Sequence, residues 1–267
     1  MLNSATRALL WKEWRETRWK FLAFWAAFHL PLGMAALGLV LQQKNRFAIQ
    51  TLPSNSLYQG LESIVFVESI FIITMGLALI TFFAAGAVSQ EVRGRQIFFL
   101  LERPVSRFRV LTVKYLVSGL QAYVMAALSP LTALLLAAAG VLMLSRTTGW
   151  WEGMNHLLPV MMTALNIGLW RAVIALMVFS IVFVFSVIFE RQWAAMGAGP
   201  ASLVIIFYFF FEELLLSIFR PTEQHRGPGF SLSRFGEIGG GTVLVVLLVA
   251  AACFLAAHYL FARKEIA

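Results

Sequence analysis

The sequence predicts an all-α integral membrane protein with six membrane-spanning helices, and three observations predict it. Of the 267 residues, 60% are hydrophobic and only 13% charged, where a soluble domain carries roughly a quarter charged residues. The apolar residues come in long runs instead of alternating with polar ones, and the mean hydropathy is +0.80. Lys and Arg flank these runs without forming a stripe. A bilayer tolerates such runs, because a span needs only about 20 apolar residues and pairs its backbone internally. The net charge of +8 and the pI near 10.1 then follow from orientation in the membrane, with no nucleic-acid partner. A single cysteine, Cys253, offers neither a disulfide framework nor a thiolate metal site.

Residues 4–20 (SATRALLWKEWRETRWK) are too charged to span. Leu10, Trp14, Thr17 and Phe21 follow i, i+4, i+7, i+11 and share one helical face. Lys12, Glu16 and Lys20 form an i, i+4 ladder on another. Trp and Arg on such a helix suit the headgroup layer, so the segment is expected to lie along the membrane as an interfacial helix.

Six spans follow, at 21–41, 61–89, 108–144, 169–189, 199–219 and 241–262. At about 1.5 Å per residue each can cross a hydrocarbon core of about 30 Å. The third is long for one crossing, so its first two turns are expected at the interface. The first apolar run is too long for a signal peptide and has no small-residue cleavage site, which predicts that it is retained. With the N-terminus in the cytoplasm, 14 of the 21 Lys and Arg residues fall on the inner side. That bias predicts both termini inside, as an even number of spans requires. The outer segments 42–60, 145–168 and 220–240 then read as loops, the second carrying Trp150 and Trp151 as interfacial anchors and the third rich in Gly and Pro. The whole chain, 1–267, is one transmembrane domain.

The most informative stretch joins spans two and three: SQEVRGRQIFFLLERPVSRFRVLTVKYL, residues 89–116. It reads as a short amphipathic helix broken at Pro104, followed by a helix that re-enters the bilayer. Phe98, Phe99, Leu100 and Leu101 are too many apolar side chains to leave in water. Lipid headgroups can cover them, and so can another protein.

This run resembles the first cytoplasmic loop of ABC-2 type transporter permeases, in which Glu, Gly, a Leu-rich stretch and Pro-Val-Ser-Arg precede a Lys. Here those positions are Glu91, Gly94, Leu100, Leu101, Pro104, Val105, Ser106, Arg107 and Lys114. Six spans with cytoplasmic ends extend the likeness over nearly the whole chain. Arg95 stands where the family often has a small polar residue, and Glu102-Arg103 before the proline is a second departure. The resemblance implies a permease subunit of an ATP-driven transporter in a bacterial or archaeal plasma membrane. It would pair with an identical or related chain, and separate ATPase subunits would bind ATP and Mg. The residues expected to grip the ATPase are Glu91, Gly94, Phe98, Phe99, Leu100, Leu101, Arg103, Pro104 and Arg107, within a coupling segment spanning 90–107. The chain contains no GxxxxGK[ST] phosphate loop, so no nucleotide cofactor and no ATP hydrolysis is assigned to it.

Polar residues in apolar surroundings are the other candidates. Glu68, with Glu62 nearer the outer end of the same span, lines a translocation path or reaches the outer headgroups. Glu212 and Glu213 do not complete a hydrolase motif, since the arginine slot of the Glu-Glu-xxx-Arg pattern of intramembrane CAAX-type proteases is Ser217. They fit the wet end of span five and the translocation path. No ligand spacing links His29, His156, His225 and His258, so metal chemistry is not expected. His29, two residues before Pro31, is read as bonding to backbone that the proline frees. Pro130 marks a kink, and the 24 Phe residues serve packing as well as they would an apolar substrate. Two rivals to the transporter remain: a membrane-embedded hydrolase and a non-transporting anchor subunit.

Overall fold

The computed structural model describes residues 4–43, 76–93, 106–144, 150–210 and 240–263. They form helices α1 (Ser4–Gln43), α2 (Leu77–Arg93), α3 (Arg107–Leu144), α4 (Trp150–Ile188), α5 (Gln192–Phe210) and α6 (Gly240–Arg263), with no strand among the described residues. Among the described residues, three stretches are long and apolar enough to cross a membrane: Arg107–Leu135 of α3, Ala164–Ile188 of α4 and Val243–Arg263 of α6. These overlap the expected third, fourth and sixth spans. The apolar part of α2, Leu77–Gln90, is shorter, and the rest of its expected span lies outside the described residues, as does the end of span five beyond Phe210.

Helix α4 is the hub, packing against α2, α3, α5 and α6. Its residues from Met177 to Phe183 are all buried, the condition in which a helix can be apolar on every side. Around it sit Ile80, Ala84 and Val88 of α2, Leu111 and Met125 of α3, Ala195 of α5, and Val246, Ala257 and Phe261 of α6. Two glycines set close approaches to this hub. A Cβ at Gly168 would lie 2.2 Å from the Ala127 carbonyl oxygen, so α3 and α4 touch backbone to backbone there. At Gly199 a Cβ would meet the Val182 side chain at 2.6 Å, so α5 packs directly on that side chain of α4.

Helix α6 buries one stripe, Val246, Ala250, Ala257 and Phe261, and leaves Leu244, Leu247, Leu248, Leu255 and Tyr259 exposed. So much outward apolar surface suits a lipid environment.

Two expectations about the elements are corrected. Segment 145–168 is not a loop: α4 begins at Trp150 and runs on to Ile188. Its Asn, Glu, His and Pro residues are loop signals, but Leu157, Leu158, Val160, Met161, Met162, Leu165 and Ile167 supply apolar density enough to continue a helix. Nor is segment 4–20 a helix separate from the one that carries the expected first span. Helix α1 is unbroken from Ser4 to Gln43, and it runs lengthwise and parallel to α3. Leu9 clusters with Val110 and Val113, Glu13 meets Lys114, Thr17 meets Gln121, and His29 meets Thr132. The physical reason is that this stripe of α1 finds specific partners on α3, where a headgroup layer would offer only a general one. Of the expected Leu10–Trp14–Thr17–Phe21 face, Leu10 and Phe21 pack inward, while Trp14 stays exposed with Trp11 and Trp19.

The start of α1, the end of α2, the starts of α3 and α5 and the end of α6 meet at one end of the bundle. Lys20 reaches Gln90, Gln90 reaches Gln192, and Phe108 stacks on His258 with ring centroids 4.3 Å apart. A tight turn at 189–191 joins α4 to α5, with Phe189 N–H donating to Phe185 O at 2.9 Å and Ala194 N–H to Arg191 O at 3.1 Å.

Candidate functional site: a buried polar cluster at one end of the bundle

Four helices bring polar residues to this end. On α1, Glu13, Glu16, Thr17 and Lys20 follow helical spacing; on α3, Lys114, Ser118 and Gln121 do the same; α2 contributes Gln90 and α5 contributes Gln192. All of these but Gln121 line an open cavity of about 390 Å³ whose other wall is Phe24, Phe82 and Phe83. Phe24 stands edge-on to both, with centroids 5.7 Å from Phe82 and 6.0 Å from Phe83.

At the base of the cavity lies an ion pair. Lys114 Nζ donates to Glu13 Oε1 at 2.7 Å, and the side chains are 1% and 5% exposed. Lys12 stands 3.9 Å from the same carboxylate oxygen. Removing two charges from water costs several kcal/mol per ion, recovered only with close geometry and further hydrogen bonds. A short contact of this kind therefore commits the start of α1 to the start of α3. One turn deeper, Gln121 Nε2 donates to Thr17 Oγ1 at 2.9 Å, and the Thr17 hydroxyl donates to Glu13 O at 2.7 Å. The Oε1 of Gln121 is buried without a partner among the described residues.

The opposite rim is a chain of amides. Lys20 Nζ donates to Gln90 Oε1 at 2.9 Å, Gln90 Nε2 to Gln192 Oε1 at 2.8 Å, and Gln192 Nε2 to Phe82 O at 3.2 Å. Gly86 makes room for it: a Cβ there would sit 3.1 Å from Gln192 Nε2. The expected Lys12–Glu16–Lys20 ladder forms only in its first half. Lys12 and Glu16 pair at 3.5 Å, but Lys20 turns across to α2.

Of the residues expected to grip an ATPase, the backbone of Glu91 lies in the last turn of α2 and Arg107 opens α3. Gly94, Phe98, Phe99, Leu100, Leu101, Arg103 and Pro104 lie outside the described residues, as do the candidate path residues Glu68, Glu212 and Glu213. Two other members of the quoted pattern have plain physical roles. Ser106 caps α3, accepting from Arg109 N–H on its hydroxyl at 3.3 Å. Lys114 is the buried partner of Glu13.

His29 does not bond to backbone freed by Pro31. Its Nδ1 donates to the Trp25 carbonyl at 2.7 Å, the position that normally serves the N–H of residue 29 itself, and its Nε2 contacts the Thr132 hydroxyl. Because the carbonyl can only accept, Nδ1 carries the proton. The second contact ties the middle of α1 to α3.

Sequence reasoning did not foresee the Glu13–Lys114 pair or the Gln90–Gln192 bridge. A lysine inside the apolar run VLTVKYLVSGL was the one available signal, and it named no partner 101 residues away. Compared with protein-family models and with curated proteins, the chain matches none.

Proposed function

We propose that this chain is the membrane-spanning subunit of an ATP-driven transporter of the ABC-2 type. In this reading it has six spans with both ends in the cytoplasm, works as a dimer of permease chains, and takes its energy from separate ATPase subunits. The reading rests on the resemblance carried by residues 91–114, and one observation gives it mechanical sense. In the chain, residues 94–105 connect the end of α2 to the start of α3, and two turns into α3 a buried pair locks Lys114 to Glu13 of α1. A push delivered to that segment reaches α3 directly, and α1 must follow, because separating the pair would strand two charges out of water. Docking of an ATPase at this end would thus move α1 and α3 as one body.

Apolar side chains in the segment supply the grip. Buried interface aromatics commonly contribute about 2 kcal/mol or more each, and rim charges less. The double substitution Phe98→Ala with Leu101→Ala should therefore weaken ATPase binding at least about tenfold, at about 1.4 kcal/mol per decade. The check is co-purification of the ATPase with the variant, alongside size exclusion of the membrane part. Undiminished ATPase retention by a well-folded variant would refute the assignment.

A further inference from the structure

We infer that the cavity between α1, α2, α3 and α5 binds the phosphoethanolamine headgroup of a membrane phospholipid. The inference does not depend on the transporter reading, and its test needs no ATPase.

The charge pattern carries it first. The lining holds two carboxylates, Glu13 and Glu16, and two ammonium groups, Lys20 and Lys114. Glu13 and Lys114 neutralise each other at 2.7 Å in a buried contact. That leaves Glu16 and Lys20, one of each sign, on successive turns of α1. Side chains at this spacing, Glu before Lys, normally pair with each other; here they do not. Lys20 donates to Gln90 Oε1, which uses one of its three protons. Glu16 has a 3.5 Å contact to Lys12, with the Glu16 side chain 43% exposed, an arrangement worth little in water. An anion donor site and a cation acceptor site thus flank one cavity. A zwitterion with a phosphate for Lys20 and a primary ammonium for Glu16 satisfies both and leaves the lining neutral. An anionic headgroup would satisfy Lys20 and crowd a negative charge against Glu16. A quaternary ammonium would bring Glu16 no N–H donor.

The shape and place of the cavity favour a lipid over a free solute. Its polar end passes into a wall of Phe24, Phe82 and Phe83, as the junction of headgroup and acyl chain requires. Its volume of about 390 Å³ falls in the range of small-ligand sites. It also lies towards one end of a candidate span, where a headgroup is within reach. Lys114 is seven residues, about 10 Å, inside the apolar stretch that opens at Arg107, and Trp11 and Trp19 stand exposed on the same part of α1, as interfacial tryptophans do.

The test is native mass spectrometry of the purified full chain titrated with matched-chain phosphatidylethanolamine, phosphatidylcholine and phosphatidylglycerol. Water-soluble glycerophosphoethanolamine serves as competitor. Phosphatidylethanolamine should bind at least tenfold more tightly than the other two, and Lys20→Gln and Glu16→Gln should each abolish that preference without altering helix content. Glu16→Lys, which makes the lining positive, should shift the preference to phosphatidylglycerol. Equal binding of the three lipids, or an unchanged preference in the Lys20→Gln variant, would overturn the inference. Competition by glycerophosphoethanolamine at concentrations equal to the lipid would overturn its assignment to a membrane source.

Discussion

Lys114→Met alone should destabilise the helical bundle by about 3–5 kcal/mol, the usual cost of stranding one member of a buried ion pair. Methionine fills nearly the same volume, so the loss comes from charge and not from a cavity. Glu13 would keep a 5% exposed carboxylate that has lost its 2.7 Å ammonium partner, and Lys12 stands farther off, at 3.9 Å and nearer the surface. Glu13→Gln alone should cost a similar amount, because it leaves the Lys114 ammonium buried. The double variant should recover most of the loss, since a pair replaced by neutral groups of like shape is often neutral or stabilising. A double-mutant cycle by thermal melting in detergent reads this coupling directly. Melting of Lys114→Met at the wild-type temperature would show that the two side chains do not meet in the folded chain.

Gly168→Val should be comparably damaging, for a steric reason. The atom it would meet first is a backbone oxygen, that of Ala127 at 2.2 Å, with Ala127 C behind it at 3.1 Å. Backbone cannot rotate away as a side-chain tip can, so α3 and α4 must separate along their shared seam. Overpacking of this kind costs about 1–3 kcal/mol and more where nothing yields. Even Gly168→Ala should lose about 2 kcal/mol, despite alanine's better helix propensity. Gly197→Ala provides the contrast: nothing lies within 4 Å of its Cβ position, so it should be neutral or gain about 0.5–1 kcal/mol. Both are read by melting of the purified protein. Equal melting temperatures for the two alanine variants would mean that the close crossing at Gly168 does not exist.

Much of the fold was legible because a span leaves a mark that needs no partner. The apolar runs expected at 108–144, 169–189 and 241–262 correspond to stretches of α3, α4 and α6 long enough to cross a membrane. What pairs with what was not legible. Periodicity showed that Leu10, Thr17 and Phe21 share a face, but the face itself does not say whether headgroups or another helix cover it. The Lys12–Glu16–Lys20 spacing allowed a ladder on α1, yet Gln90 of α2 competes for Lys20 and wins its 2.9 Å contact. The polar site is built from residues on four helices, each ordinary in its own stretch of sequence. At Trp150–Gly168 the loop reading gave too little weight to the apolar residues from Leu157 to Ile167, which carry the helix on to Ile188.

Coupling through residues 94–105 is tested most directly by photo-cross-linking in native membranes. A benzoylphenylalanine replaces Phe98 in one sample and the outward-facing Leu244, 59% exposed, in another, and adducts are identified by mass spectrometry after irradiation. The predicted result is that position 98 captures a protein carrying a GxxxxGK[ST] phosphate loop, while position 244 captures lipid or another membrane-embedded chain. Capture of lipid alone at position 98 would contradict the assignment and make the segment a headgroup-lying helix with no ATPase upon it.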